Sequence, residues 1–130
     1  MQHQDTKTLD HRVLASFREG LPDGAADIAS MLIDQFLEEA ASQTARLREA
    51  EQRGDAAELK SAAHNLRGSS MTMGARRLGV LCTALEAHAG RHSEVEDASS
   101  LISDLMTELD RELINVREAL LAEREGVSPV

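Results

Sequence analysis

Tryptophan and tyrosine are absent from this 130-residue chain, and its aromatic side chains are two phenylalanines, Phe17 and Phe36. A sheet draws on aromatic and β-branched residues for its pleated faces, so an extensive β-structure has little to be built from. The single cysteine, Cys82, excludes an internal disulfide; among apolar residues at helical spacing it suits a small core hydrophobe in a reducing compartment. The N-terminal MQHQDTKTLD lacks the apolar centre of a signal peptide, and no apolar run approaches the ~20 residues that cross a bilayer. Positive charge is in the minority: 14 Lys and Arg against 23 Asp and Glu leave a formal charge of −9, which repels nucleic-acid phosphates and anionic lipid. A soluble, cytoplasmic, monomeric chain with neither a nucleic-acid nor a membrane partner is expected.

What is present is Ala, Leu, Glu and Arg in quantity, a helix-forming composition packed by aliphatic side chains. The length suits one domain spanning residues 1–130 around one core. A short amphipathic helix is expected over about 9–19, ended by Gly20 and the turn Pro22-Asp23-Gly24. The second helix, about 25–53, carries a core stripe of Ile28, Leu32, Ile33, Phe36, Leu37, Ala40, Leu47 and Ala50. Gly54 stops it. Asp55, with Glu58 three positions on, forms a variant capping box that starts a third helix over 56–73, and Gly74 closes that helix. A fourth, 75–89, places Leu78, Leu81, Cys82, Leu85 and Ala89 on one face. The last, about 94–124, has Leu101, Ile102, Leu105, Leu109, Leu113, Val116 and Leu120 at helical spacing. Short connections between the long helices predict an all-α fold, an up-and-down antiparallel four-helix bundle with the short first helix laid over one end.

One histidine stands apart. With Leu59, Ala62, Ala63, Leu66, Ser70 and Met73 on the core side of the third helix, His64 falls about 140° from that line, facing water. Gly68 lies one turn further on. Glycine inside a helix costs roughly 1 kcal/mol relative to alanine, and nothing here suggests that the helix stops there. A missing side chain at i+4 leaves the imidazole uncovered, so that another macromolecule could bring a reactive group to it. Arg67 at i+3 and Lys60 at i−4 add two cations beside the ring in an otherwise acidic chain. Exposed imidazole, absent side chain and local positive charge suit a histidine that carries a phosphoryl group.

The run AHNLRGSSMTMGARRLGVLCTALE, residues 63–86, resembles the signature of the histidine-containing phosphotransfer (HPt) domains of multistep phosphorelays, approximately AHxLKGSSxxxGAxxLxxxCxxLE. The likeness extends through IDQFLEEA and RGDAAELKSAAH on one side to the final helix on the other. Arg67 departs from the family's usual lysine, keeping the charge while replacing a point charge with a planar fork. The resemblance implies a phosphoryl group carried on His64 between aspartates of response-regulator receiver domains, fed by a hybrid sensor histidine kinase. Arg67 and Lys60 are expected to support the phosphate and Gly68 to give access. Ala57, Ser61 and Met71, with Phe17, Leu21 and Glu39 from the first two helices, are expected to dock the partner. The implied Mg²⁺ sits on the partner receiver. This chain is expected to hold no metal or other cofactor and, lacking a Gly-rich nucleotide loop, to be a carrier without an ATP site or catalysis of its own. Met1 and the tapering termini favour a free-standing shuttle, the alternative being a domain of a larger hybrid kinase.

Competing readings are a module that docks receivers without carrying phosphate, and a metal- or ligand-binding bundle. The first would be signalled by loss of the histidine or of Gly68, and both are present. The second needs inward-facing carboxylates and histidines, and none is expected on the apolar stripes. His88 and His92 have ligand-like spacing, but Gly90 lies between them and no Glu-x-x-His pair occurs. Ser69 and Ser70 are consecutive helical positions that face apart, which argues against a serine nucleophile paired with His64.

Overall fold

The computed structural model describes residues 8–18, 26–89 and 98–124, and every regular element among them is a helix. In chain order these are α1 (His11–Arg18), α2 (Ala26–Arg53), α3 (Ala56–Thr72), α4 (Arg76–Ala89) and α5 (Ala98–Arg124). The expected ends at 19, 25 and 94–97 fall outside the described residues. Where ends can be compared, those at 53, 56, 89 and 124 coincide with expectation and the others differ by one or two residues: Leu9 and Asp10 precede α1, Met73 is the C-cap of α3, and Ala75 belongs to the turn before α4.

The two tight connections are built alike. At the end of α2, Gly54 adopts φ +67°; its N–H donates to Glu51 O and the Asp55 N–H to Ala50 O. At the end of α3, Gly74 adopts φ +81°, with its N–H donating to Met71 O and the Ala75 N–H to Ser70 O. Both are Schellman endings, in which a left-handed residue satisfies carbonyls that the helix leaves orphaned. Asp55 then caps α3 by accepting the Glu58 N–H at 3.1 Å. The expected capping box is only half formed, because the Glu58 carboxylate takes Arg46 of α2 at 2.7 Å instead of turning back.

So short a turn sends α3 back alongside α2 and α4 back alongside α3. α2 packs on α3, α3 on α4, α4 on α5, and α5 returns to α2, closing a four-helix bundle. Its core is aliphatic and alanine-rich: Ile33 and Leu47 of α2, Ala62 and Leu66 of α3, Leu78 and Leu85 of α4, and Leu109 and Leu120 of α5 are completely buried. Alanines at 62 and 63 let α3 approach its neighbours closely. The first helix covers the end of the bundle where α3 turns into α4: Leu9 is buried, and the Asp10 N–H donates to Gly74 O at 2.8 Å. Ion pairs of Arg48 with Asp110 and of Arg124 with Asp34 join α2 to α5. No helix among the described residues is long and apolar enough to cross a membrane.

Three expectations about the core need correction. Ile28 and Leu101, placed on core stripes by spacing, are 50% and 44% exposed. In each case the next residue, Ala29 or Ile102, is buried instead, so the covered side of the helix there lies about 100° round from the exposed position. In the other direction, Gln43, Thr44 and Glu112 are buried although polar. Thr44 bonds back to Ala40 O at 2.7 Å, and Gln43 donates to Glu39 and accepts from Arg46. Glu112 overturns the expectation of no inward carboxylate. It is 3% exposed; its Oε1 accepts from Asn115 at 3.3 Å and lies 3.8 Å from Arg77 Nε, while its Oε2 has no hydrogen-bond partner among the described residues. Its position, three after Leu109 and four before Val116, falls on the buried face. It stays isolated: no three His, Cys, Asp or Glu side chains converge as a metal site among the described residues.

Cys82 is buried, as expected, and burial pushes its thiol up to about 12 from 9.0. The unfolded chain therefore loses this proton near pH 9 while the folded protein keeps it. That linkage lowers stability as pH rises between about 9 and 12. Native protein at pH 9 should resist a thiol-alkylating reagent that labels unfolded protein, which mass measurement of the treated chain reads directly.

Gly74 is the turn most sensitive to substitution. A Cβ there would sit 3.0 Å from Asp10 O and 3.1 Å from Val13 Cβ, on a backbone with φ +81°. Gly74→Ala should destabilise the fold by about 1–3 kcal/mol, measured by denaturant unfolding.

Candidate functional site

His64 sits near the middle of α3, whose opposite side buries Leu59, Ala62, Ala63, Leu66 and Ser70 completely or nearly so. Its side chain is 57% exposed. Helical period alone accounts for this, since a helix packed on its neighbours by one face must show the other to water. Ala57, Lys60, Ser61, Gly68 and Met71 are exposed as well, and Arg67 is part-exposed, so the expected α3 residues share a surface. Glu39 is exposed on α2 and holds Gln43 at 2.9 Å. The Phe17 side chain and Leu21 lie outside the described residues, as does His92.

Around the imidazole the structure assembles two side chains, one from α3 and one from α4. Arg67 Nη2 lies 3.1 Å from His64 Nδ1, and Glu86 Oε2 of α4 lies 3.1 Å from the same nitrogen. Arg67 Nε is in turn 3.8 Å from Glu86 Oε1. No hydrogen bond among the described residues engages Nε2. Lys60 is exposed and makes no hydrogen bond or ion pair to this cluster, so its influence is limited to its charge one turn away.

Glu86 was not among the residues expected to act. It closes the motif, but its sequence distance from His64 is 22 residues, and only the antiparallel return of α4 brings it to the ring. The one signal available in the sequence is position. With the α3–α4 turn at Gly74, residues ten before and twelve after lie at nearly the same height in an antiparallel pair.

Gly68 has no heavy atom within 4 Å of where a Cβ would be, so no internal contact requires glycine there. Gly79 of α4 differs. A Cβ on it would meet Met71 Sδ at 2.6 Å, so the missing side chain lets Met71 lie across α4. Together Arg67, Gly68, Met71, Gly79, Val80 and Thr83 line an open groove of about 240 Å³ next to the imidazole. Met71 and Val80, 51% and 52% exposed, give it apolar walls. The groove extends the surface toward α4, with Val80 and Thr83 as lining residues that the sequence did not single out. An exposed, partly apolar approach to a nucleophilic nitrogen, with a cation beside it, suits a macromolecular phosphoryl donor.

The sequence matches the Hpt domain family over residues 31–119. The fold matches the crystal structure of histidine-containing phosphotransfer protein B from Pseudomonas aeruginosa PAO1 with a TM-score of 0.75. The two are 35% identical, and the match covers 91% of this chain and 95% of that one. No curated protein matches significantly. The chain belongs to the Hpt domain family: it is a histidine phosphotransfer protein of phosphorelays. Proteins of this family carry phosphoryl groups rather than catalyse turnover, and they work with kinases and response regulators.

Because Gly68 serves no internal contact, Gly68→Ala should keep the fold and stabilise α3 by up to ~1 kcal/mol while slowing phosphotransfer. Gly68→Gln should slow it much more. Wild-type transfer by a correctly folded Gly68→Gln protein would defeat the access argument.

Proposed function

We propose that His64 accepts a phosphoryl group from the aspartyl phosphate of one receiver domain and passes it to the aspartate of another. The observation that carries this reading is the arrangement at the ring: an exposed imidazole whose Nδ1 is engaged by neighbours and whose Nε2 is free of hydrogen bonds to described residues. In the forward step the Nε2 lone pair attacks phosphorus, the bond from phosphorus to the aspartate oxygen breaks, and the carboxylate leaves with its electron pair. The proton on Nδ1 stays in place, so the phosphorylated ring gains positive charge that the Glu86 carboxylate faces. Such chemistry needs positioning and charge compensation more than covalent help.

Arg67 is the group that offsets phosphate charge, with Lys60 contributing at longer range and Gly68 leaving room for the donor. The receiver docks over Ala57, Ser61 and Met71 and along the neighbouring groove lined by Val80 and Thr83, with Glu39 at the edge. A small apolar patch with a charged rim fits a partner that must leave as readily as it arrives. Mg²⁺ belongs to the receiver's acidic site, and a hybrid histidine kinase stands upstream. We assign the chain to the cytoplasm as a monomeric carrier with no ATP chemistry of its own; an unpaired, buried Cys82 supports a reducing compartment.

Mixed with a phosphorylated receiver and Mg²⁺, the protein should acquire one phosphoryl group that is labile in acid and stable in base, and ATP alone should give none. His64→Gln should abolish the label with unfolding behaviour within ~0.5 kcal/mol of wild type. Arg67→Ala should shorten the lifetime of the phosphorylated form without eliminating it. Label retained by the His64→Gln protein, or mapped to His88 or His92, would overturn the assignment.

A further inference from the structure

We propose that Arg67 and Glu86 compete for Nδ1 of His64, and that the balance between them sets how much of the ring presents an unprotonated Nε2 to the phosphoryl donor. This rests on His64 being the carrier. Both contacts to Nδ1 measure 3.1 Å, yet they demand opposite states of that nitrogen. A guanidinium only donates, so Arg67 Nη2 bonds to Nδ1 when it bears a lone pair. A carboxylate only accepts, so Glu86 Oε2 bonds to Nδ1 when it bears the proton. In a neutral imidazole the proton sits on one nitrogen or the other. The arginine contact therefore selects the tautomer with hydrogen on Nε2, whose ring has no lone pair there to attack phosphorus. The glutamate contact selects the tautomer with hydrogen on Nδ1, whose Nε2 is a nucleophile.

The contenders are also tied to each other, Arg67 Nε lying 3.8 Å from Glu86 Oε1. Removing either leaves the other undivided for the ring. Arg67 thus acts in two directions: before transfer it favours the unreactive tautomer, and after transfer it faces a phosphate. An incoming phosphoryl group that draws the guanidinium away from Nδ1 would leave the ring to Glu86, coupling arrival of the donor to activation of the nucleophile. Glu86 is a positioning residue in this scheme, acting through the imidazole.

The test reads the tautomer without any phosphoryl donor. In ¹⁵N-labelled protein, the two ring-nitrogen shifts of His64 report the proton's location, at a pH above the ring's titration midpoint in the same spectra. Arg67→Ala should move the ratio of tautomers toward hydrogen on Nδ1, and Glu86→Ala should move it toward hydrogen on Nε2. Each shift should be about fivefold, reduced from a buried charge-assisted bond by solvent at this part-exposed cluster. Glu86→Gln, whose amide both accepts and donates, should fall between wild type and Glu86→Ala, and it preserves side-chain shape should the alanine variant fold poorly. Glu86→Ala should also slow phosphoryl acceptance about fivefold. Shifts in the same direction for both alanine variants, or no shift in Glu86→Ala, would overturn the proposal. That result could coexist with a phosphorylated His64, whereas label persisting after His64→Gln would refute the carrier assignment and leave the tautomer measurement standing.

Discussion

The packing of α4 against α3 is the constraint on which the rest of this structure depends. A three-residue connection centred on Gly74 turns the chain through a reversal, and the fully buried alanines of α3 bring the two helices into close contact. That contact holds α3 by one face and so displays His64 on the other. The same reversal sets the register that carries Glu86 to the imidazole. It also places Gly79 under Met71, forming the groove beside the ring. A slip of one residue in this pairing would rotate every α4 side chain by about 100° and remove the carboxylate from the site.

Four glycines divide the work between folding and function. Gly54 and Gly74 adopt backbone conformations that other residues resist, and they define the two tight turns. Gly79 yields space to a methionine from the neighbouring helix. Gly68 meets none of these needs, standing in open space on a regular helix. A residue that weakens a helix without satisfying any internal contact points outward, to what must approach the surface.

Electrostatics at the site run against those of the whole. The chain carries a formal charge of −9, yet the ring is flanked by Arg67 and, one turn away, Lys60. Local cations suit a phosphoryl group, while the overall negative charge discourages lasting association with nucleic acid or with acidic surfaces. Glu86 Oε1 lies 3.8 Å from Arg67 Nε, so the positive charge beside the ring faces a carboxylate.

Residue spacing and composition by themselves determined the helical class, the helices to within a residue or two where they can be compared, the buried face of α3, and the exposure of His64 beside Gly68 and Arg67. These follow from local rules: helical period, the left-handed preference of glycine, and the capping of Asp55, each acting over a few residues. Tertiary structure alone decided that Glu86 reaches the imidazole, that Met71 and Val80 flank one groove, that Ile28 and Leu101 stay exposed, and that Glu112 is buried. These outcomes depend on which residues of separate helices come to the same height and which side of each helix its neighbours cover. Periodicity along one helix carries no record of where its partner begins and ends; packing between helices settles it.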